Sequence, residues 1–323
     1  MQIENRTENL PEVEFLPRIH KAPSRLNCKF GWGDVTTREF QQRDFEKLVL
    51  VGGPKQNFCL PDLGEKARRL KSLSLEASGC VEGIEQFANL ESLDVVNLPK
   101  NGITLSAFKR LISVFSERNK SIEEQIAQCP MLKLLGLVGF SGSDCAPLAP
   151  LSELREIAFT QGRLQSLNGI GACHQLEYVA LAYLRNLTDI SALKSLDKLA
   201  ELSLSSLPKI VDTLVISDYK KLQSLYLVNS KLVTDLSGIS KNTKLKRILL
   251  NTPYTNLDWD ELFRLQHLLF VSLTVGNSSP SDQEIHDMAA RTGRIPLQIE
   301  RIGKGKKTNL RVYFEGWEND KFR

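Results

Sequence analysis

HQLEYVALAYLRNLTDISALKSLDKLAELSLSSL, residues 174–207, carries one short pattern twice. Leu176, Val179 and Leu181 are matched 23 residues later by Leu199, Leu202 and Leu204. In each copy the last two aliphatics lie two apart, so they share one face of a short strand. The residues beside them (Tyr178 and Ala180, Glu201 and Ser203) face the other way. Between the strands, Leu187, Ile190 and Leu193 recur every three residues, the spacing of a helical or 3-10 turn with one buried side. Asp189 is placed to accept hydrogen bonds within that turn.

The pattern extends in both directions. Downstream it recurs as Leu222/Leu225/Leu227, Leu245/Ile248/Leu250 and Leu268/Val271/Leu273. Upstream it recurs as Leu154/Ile157/Phe159, Leu132/Leu135/Leu137, Leu90/Leu93/Val95, Leu70/Leu73/Leu75 and Phe45/Leu48/Leu50. From residue 132 onward the starts are 22 or 23 residues apart. LVTDLSGI at 232–239 repeats the turn, with Asp235 in the place of Asp189. The outward strand positions are mixed in polarity, so the sheet is apolar on one face only. A parallel sheet covered by helices on both sides would be apolar on both. One copy is too small to hold itself together, and neighbours must share a core and pair strands.

With these residues in view, the chain resembles a leucine-rich repeat protein. LTDISAL and LVTDLSGI, at this period, are similar to the repeats of bacterial internalin-type proteins. The Asn usual at the ninth repeat position is replaced by Ser78, Leu98, Phe140, Gly162, Leu184, Leu207, Ser230 and Pro253. The openings at Cys129-Pro130 and Cys173 look more like cysteine-containing repeats. The resemblance implies an α/β solenoid: a horseshoe with a one-sided parallel sheet on its concave face and short helical or 3-10 returns on its convex face. It also implies a protein that binds other proteins.

Three segments depart from the repeat. Residues 1–44 lack it; RLNCKFGWGD at 25–34 reads as a strand and a Gly-rich turn, suited to capping the first repeat of a repeat domain spanning 45–275. Between Leu90 and Leu132 the step is nearly doubled. Leu111/Val114/Ser116 is one candidate for a decayed copy. Leu105, Phe108, Leu111, Ile112 and Phe115 instead mark an amphipathic helix, and Ser121 to Cys129 a second, so an enlarged helical return over about 101–131 is expected. At 276–323, SPSDQEIHDMAARTG has the cap, middle and stop of a helix, and IPLQIERI and LRVYFEG joined by GKGKKTN form a hairpin that seals the last repeat.

Composition bounds the function. The chain has 323 residues, with 42 basic and 38 acidic side chains, a balance that does not favour a nucleic-acid binder. The longest apolar runs, such as Leu134–Phe140, fall far short of the roughly 20 residues that cross a bilayer. The N-terminus lacks the apolar core of a secretory signal, and six dispersed cysteines without a CxxC pair suit reduced thiols, so a bacterial cytoplasmic location is expected. No phosphate-binding loop or nucleophile-elbow motif occurs, and no His or Cys has zinc-ligand spacing, so neither enzyme activity nor a cofactor is expected. Cys173 beside His174, the carboxylates Asp258, Asp260 and Glu261, and the Lys-rich loop at 303–307 read as structural groups.

The remaining feature is the outward face of the strands. Its second half carries Tyr178, Tyr226, Arg247 and Phe270, with Tyr183 just past its strand and Glu156 and Glu201 among them. Tyr and Arg are enriched at interface hot spots. The expected function is a non-catalytic module that binds another protein through this face. Alternatives are an immunity-type inhibitor of a toxin or enzyme, and an effector with activity in its flanks.

Overall fold

The computed structural model describes residues 25–29, 32–52, 57–76, 81–96, 103–211, 213–275, 279–303 and 308–319. Fourteen strands form one sheet. The first six are β1 (Arg25–Lys29), β2 (Lys47–Val51), β3 (Ser72–Glu76), β4 (Ser92–Val96), β5 (Ser113–Glu117) and β6 (Leu134–Phe140). The next six are β7 (Glu156–Gly162), β8 (Tyr178–Ala182), β9 (Glu201–Ser205), β10 (Ser224–Val228), β11 (Arg247–Asn251) and β12 (Phe270–Thr274). The last two are β13 (Pro296–Ile302) and β14 (Asn309–Phe314). β1 to β12 pair in chain order and in parallel. β14 then adds antiparallel to β12, with β13 outermost.

Register turns the repeat into two unbroken ladders of core side chains. One runs Val179, Leu202, Leu225, Ile248, Val271 and Val312 along β8–β12 and β14; the other runs Leu181, Leu204, Leu227, Leu250, Leu273 and Leu310. Each of these residues is at most 1% exposed. Leu26 and Cys28 of β1 extend the same two ladders at the other end. Ser116 of β5 is a polar member, buried with no hydrogen-bond partner for its hydroxyl.

The returns are mostly single 3-10 turns, as the three-residue spacing requires. Ser191–Ser195 follows Asp189, whose carboxylate accepts from the Ser191 N–H at 2.8 Å. Asp235 accepts from Ser237 N–H at 2.9 Å, and these local bonds hold both carboxyls below their usual range. The segment 232–239 is less helical than its twin. Val233–Asp235 is a short strand between Thr213–Val215 and Tyr254–Thr255, and the 3-10 turn begins only at Ile239.

The doubled step between Leu90 and Leu132 corrects the expectation of a helix over 105–115. Leu105–Ala107 is one 3-10 turn, and Ser113–Glu117 is a strand paired on both sides. The bonds Phe108 N–H to Leu105 O and Leu111 N–H to Phe108 O copy those of Ile84, Phe87 and Leu90 one repeat earlier. Leu111/Val114/Ser116 is therefore a repeat copy. The helical element that remains, α2 (Lys120–Gln125), is capped by the Asn119 side chain and continues as a 3-10 turn to Gln128.

Both ends carry further elements. α1 (Asp34–Gln42) follows β1, and Phe40 packs its ring between Trp32 and Phe45. α3 (Trp259–Phe263) precedes β12, and α4 (Asp282–Arg291) opens with a capping box between Ser281 and Glu284.

Candidate functional site

Alternation along each strand assigns the outward side chains to fixed columns. The first column runs Leu134, Glu156, Tyr178, Glu201, Ser224, Arg247, Phe270 and Tyr313. The second runs Gly136, Ala158, Ala180, Ser203, Tyr226, Leu249, Ser272 and Arg311. Strands lie about 4.8 Å apart. Tyr178 and Tyr226 thus sit two strands apart in adjoining columns, with Glu201 between them.

The seven side chains expected at the face separate into three groups. Tyr178, Tyr226, Glu156 and Glu201 are half-buried on the outward face. Tyr183 is 54% exposed but lies past the end of β8, with left-handed backbone at φ +55°. Arg247 and Phe270 are buried, at 4% and 7%, and correct the expectation that they lie open to solvent.

Each burial has an identifiable cause. The Arg247 guanidinium donates from Nε and Nη2 to Ser224 Oγ at 2.9 and 2.7 Å, and Nη2 lies 3.8 Å from Glu201 Oε1. Its charge is thus tied to the two preceding strands of its own column. Phe270 is covered by the C-terminal segment. Its ring stacks on Trp317 at 5.0 Å between centroids and lies 5.1 Å from Tyr313. Tyr313 in turn donates its hydroxyl to Glu300 Oε2 at 3.1 Å, and Arg311 lies 3.8 Å from the same carboxylate. Tyr313, Trp317 and Arg311 escaped the sequence reading. The alternation Leu310/Val312/Phe314 against Arg311/Tyr313 was available, but only the antiparallel pairing with β12 sets these residues beside Phe270.

A second polar group on this face lies at its other end. Lys47 Nζ is 3.6 Å from Asp94 Oδ2, both side chains being nearly buried. Burial pushes the Asp94 carboxyl up, against the lowering pull of Lys47. Asp94 Oδ1 and the neighbouring Ser72 hydroxyl have no hydrogen-bond partner.

The groups weighed for chemistry are held in structural roles. Cys173 donates its thiol to Leu148 O at 3.4 Å, while His174 Nδ1 meets Ala172 O at 3.1 Å. Burial pushes the Cys145 thiol up to about 12 and Cys173 to about 11, so neither supplies thiolate near neutral pH. Alkylation of the native chain at pH 8 is expected to label the exposed Cys59 while sparing Cys145 and Cys173. Peptide mapping reads this, and rapid labelling of either core thiol would contradict the packing. Asp258 caps α3 through Asp260 N–H and Glu261 N–H, and Asp260 pairs with Arg291 at 2.8 Å. Among the described residues, no group of three or more His, Cys, Asp or Glu is placed to hold a metal, and no helix is long and apolar enough to cross a membrane. The Lys residues of the 303–307 loop, and Cys80, lie outside the described residues.

The parallel ladders at a period of 22 or 23 residues, closed on one side by 3-10 returns, define a leucine-rich repeat solenoid of the internalin-like kind. Among solved structures it is similar to an internalin, InlF, of Listeria monocytogenes: 15% identity over 72% of this chain and 81% of that one, TM-score 0.45. It is also similar to the functional domain of InlJ from the same organism, which includes a cysteine ladder: 16% identity over 92% and 76%, TM-score 0.40. A leucine-rich repeat protein of Leptospira interrogans matches at 19% identity over 76% and 82%, TM-score 0.32. No protein-family model and no curated protein sequence matches the chain.

Proposed function

We propose that the chain is a non-catalytic binding module that engages another protein through the outward face of β7–β10. The observation that carries this reading is the group Glu156, Tyr178, Glu201 and Tyr226: two tyrosines and two carboxylates, half-buried and in register on a preformed sheet. Tyrosines held by a rigid scaffold offer large contact area at a small ordering cost, which is the composition of interface hot spots. Arg247 supports the group from beneath by fixing Glu201. Phe270 anchors the C-terminal segment beside it and is not itself a contact.

The test is affinity capture followed by calorimetry of the purified partner against variants. Tyr178→Ala and Tyr226→Ala are each expected to weaken binding by about thirtyfold, the consequence of losing ~2 kcal/mol at a hot spot. Lys198→Ala, on the return side, is expected to leave affinity unchanged. Wild-type affinity in both tyrosine variants would place the interface elsewhere.

A further inference from the structure

A left-handed residue follows the fifth position of six successive strands: Arg118, Gly139, Gln161, Tyr183, Ser206 and Asn229, with φ between +48° and +77°. Five of the six are not glycine. The exception, Gly139, creates a local opening. A Cβ at residue 139 would stand 2.5 Å from Arg118 Cγ, so the Arg118 side chain lies across the space that any other residue would fill. Crossing it, Arg118 Nη2 donates to Gln161 Oε1 at 3.0 Å, while its N–H donates to Val138 O at 2.7 Å.

The result is an open cleft of about 580 Å³ lined by Arg118, Lys120, Glu123, Gly139, Ser141 and Arg163. Three cations face one carboxylate. That carboxylate is already engaged, since Glu123 accepts from both the N–H and the hydroxyl of Ser141. Arg118 is held by a neutral amide, which positions its guanidinium without cancelling its charge. Arg163 is anchored by its N–H to Phe140 O at 2.8 Å, and its guanidinium has no ion pair or side-chain hydrogen bond with the described residues. Lys120 has a partner, Glu124 at 3.2 Å, but that pair is exposed and therefore weak.

We infer that this cleft binds a tetrahedral oxyanion, the phosphate or sulfate group of a small ligand. Two guanidinium forks match the paired oxygens of such a group, and the ammonium adds a third charge. The volume suits a small phosphorylated molecule as well as the bare ion. The site is formed by the ends of β5–β7, and it stands independently of the face proposed for protein binding.

Titration calorimetry tests the assignment at constant ionic strength. Sodium phosphate and sodium sulfate are the bare ions; phosphoserine and adenosine monophosphate are the esters; sodium chloride is the reference. The wild-type chain is expected to bind at least one of the four saturably. Arg163→Gln and Arg118→Gln are each expected to weaken that binding about tenfold through loss of a charge-assisted contact. Arg163→Lys is expected to retain part of it, and Lys198→Gln all of it. Esters binding more tightly than both ions would identify an organic phosphate; the reverse would identify the free anion. Both guanidiniums are exposed, so melting temperatures near wild type will separate lost binding from lost fold. Binding that does not saturate with any probe, or equal binding by wild type and Arg163→Gln, would overturn the inference.

Discussion

Leu202→Asp is expected to abolish the cooperative fold. Leu202 is fully buried in β9, in register with Val179 on one side and Leu225 on the other. Truncating such a leucine costs ~2–5 kcal/mol on its own, and the new carboxylate has no cation or donor on this side of the sheet, which adds several more. A total beyond ~5 kcal/mol consumes the whole stability of many domains. Glu201→Ala, one residue away on the opposite face, sets the scale. It removes a carboxylate 3.8 Å from the buried Arg247 and is expected to cost about 1 kcal/mol. Urea melts followed by circular dichroism compare the two. Equal midpoints would mean that the strand phase is inverted.

Gly162→Ala is expected to destabilise by about 3 kcal/mol or more without changing polarity. Gly162 ends β7 at φ +111°, a conformation strained for any residue with a side chain. Its added Cβ would stand 2.5 Å from Phe140 O and 2.8 Å from Phe140 N. Both are backbone atoms, so no side-chain rotation relieves the clash. The methyl would force β6 and β7 apart where Phe140 pairs with Gly162. Gly33→Ala is the matched comparison, because a Cβ there meets nothing within 4 Å. Thermal melts of the two variants within a degree of each other would contradict this account.

The core ladders were legible because a two-residue spacing fixes which face a side chain takes, whatever lies around it. Leu202 and Leu204 needed nothing else. The segment 105–115 was misread for an equally local reason. Spacing of three is shared by an amphipathic helix and by a 3-10 return running into a strand, and only pairing of β5 with β4 and β6 separates them. At the candidate face, Tyr178, Tyr226, Glu156 and Glu201 could be placed from the repeat alone. Arg247 could not, since its burial depends on Ser224 and Glu201 aligning beneath it. Phe270 depends on Tyr313 and Trp317, which arrive from a strand of opposite direction much later in the chain. The Arg118 cleft was illegible because nothing in Arg118 or Gln161 announces a left-handed backbone, a conformation that glycine usually signals.

The reversal of direction at β14 also governs how such a chain can change in length. β2 to β12 all run one way, each edge accepting the next unit, so a 22- or 23-residue module can be gained or lost between them without a new kind of joint. After β12 that grammar stops: β14 offers an antiparallel neighbour, and β13 beyond it bears Pro296. Duplication and deletion are thereby confined to the interior, and the Phe270–Trp317 clasp travels unaltered with whatever number of modules precedes it.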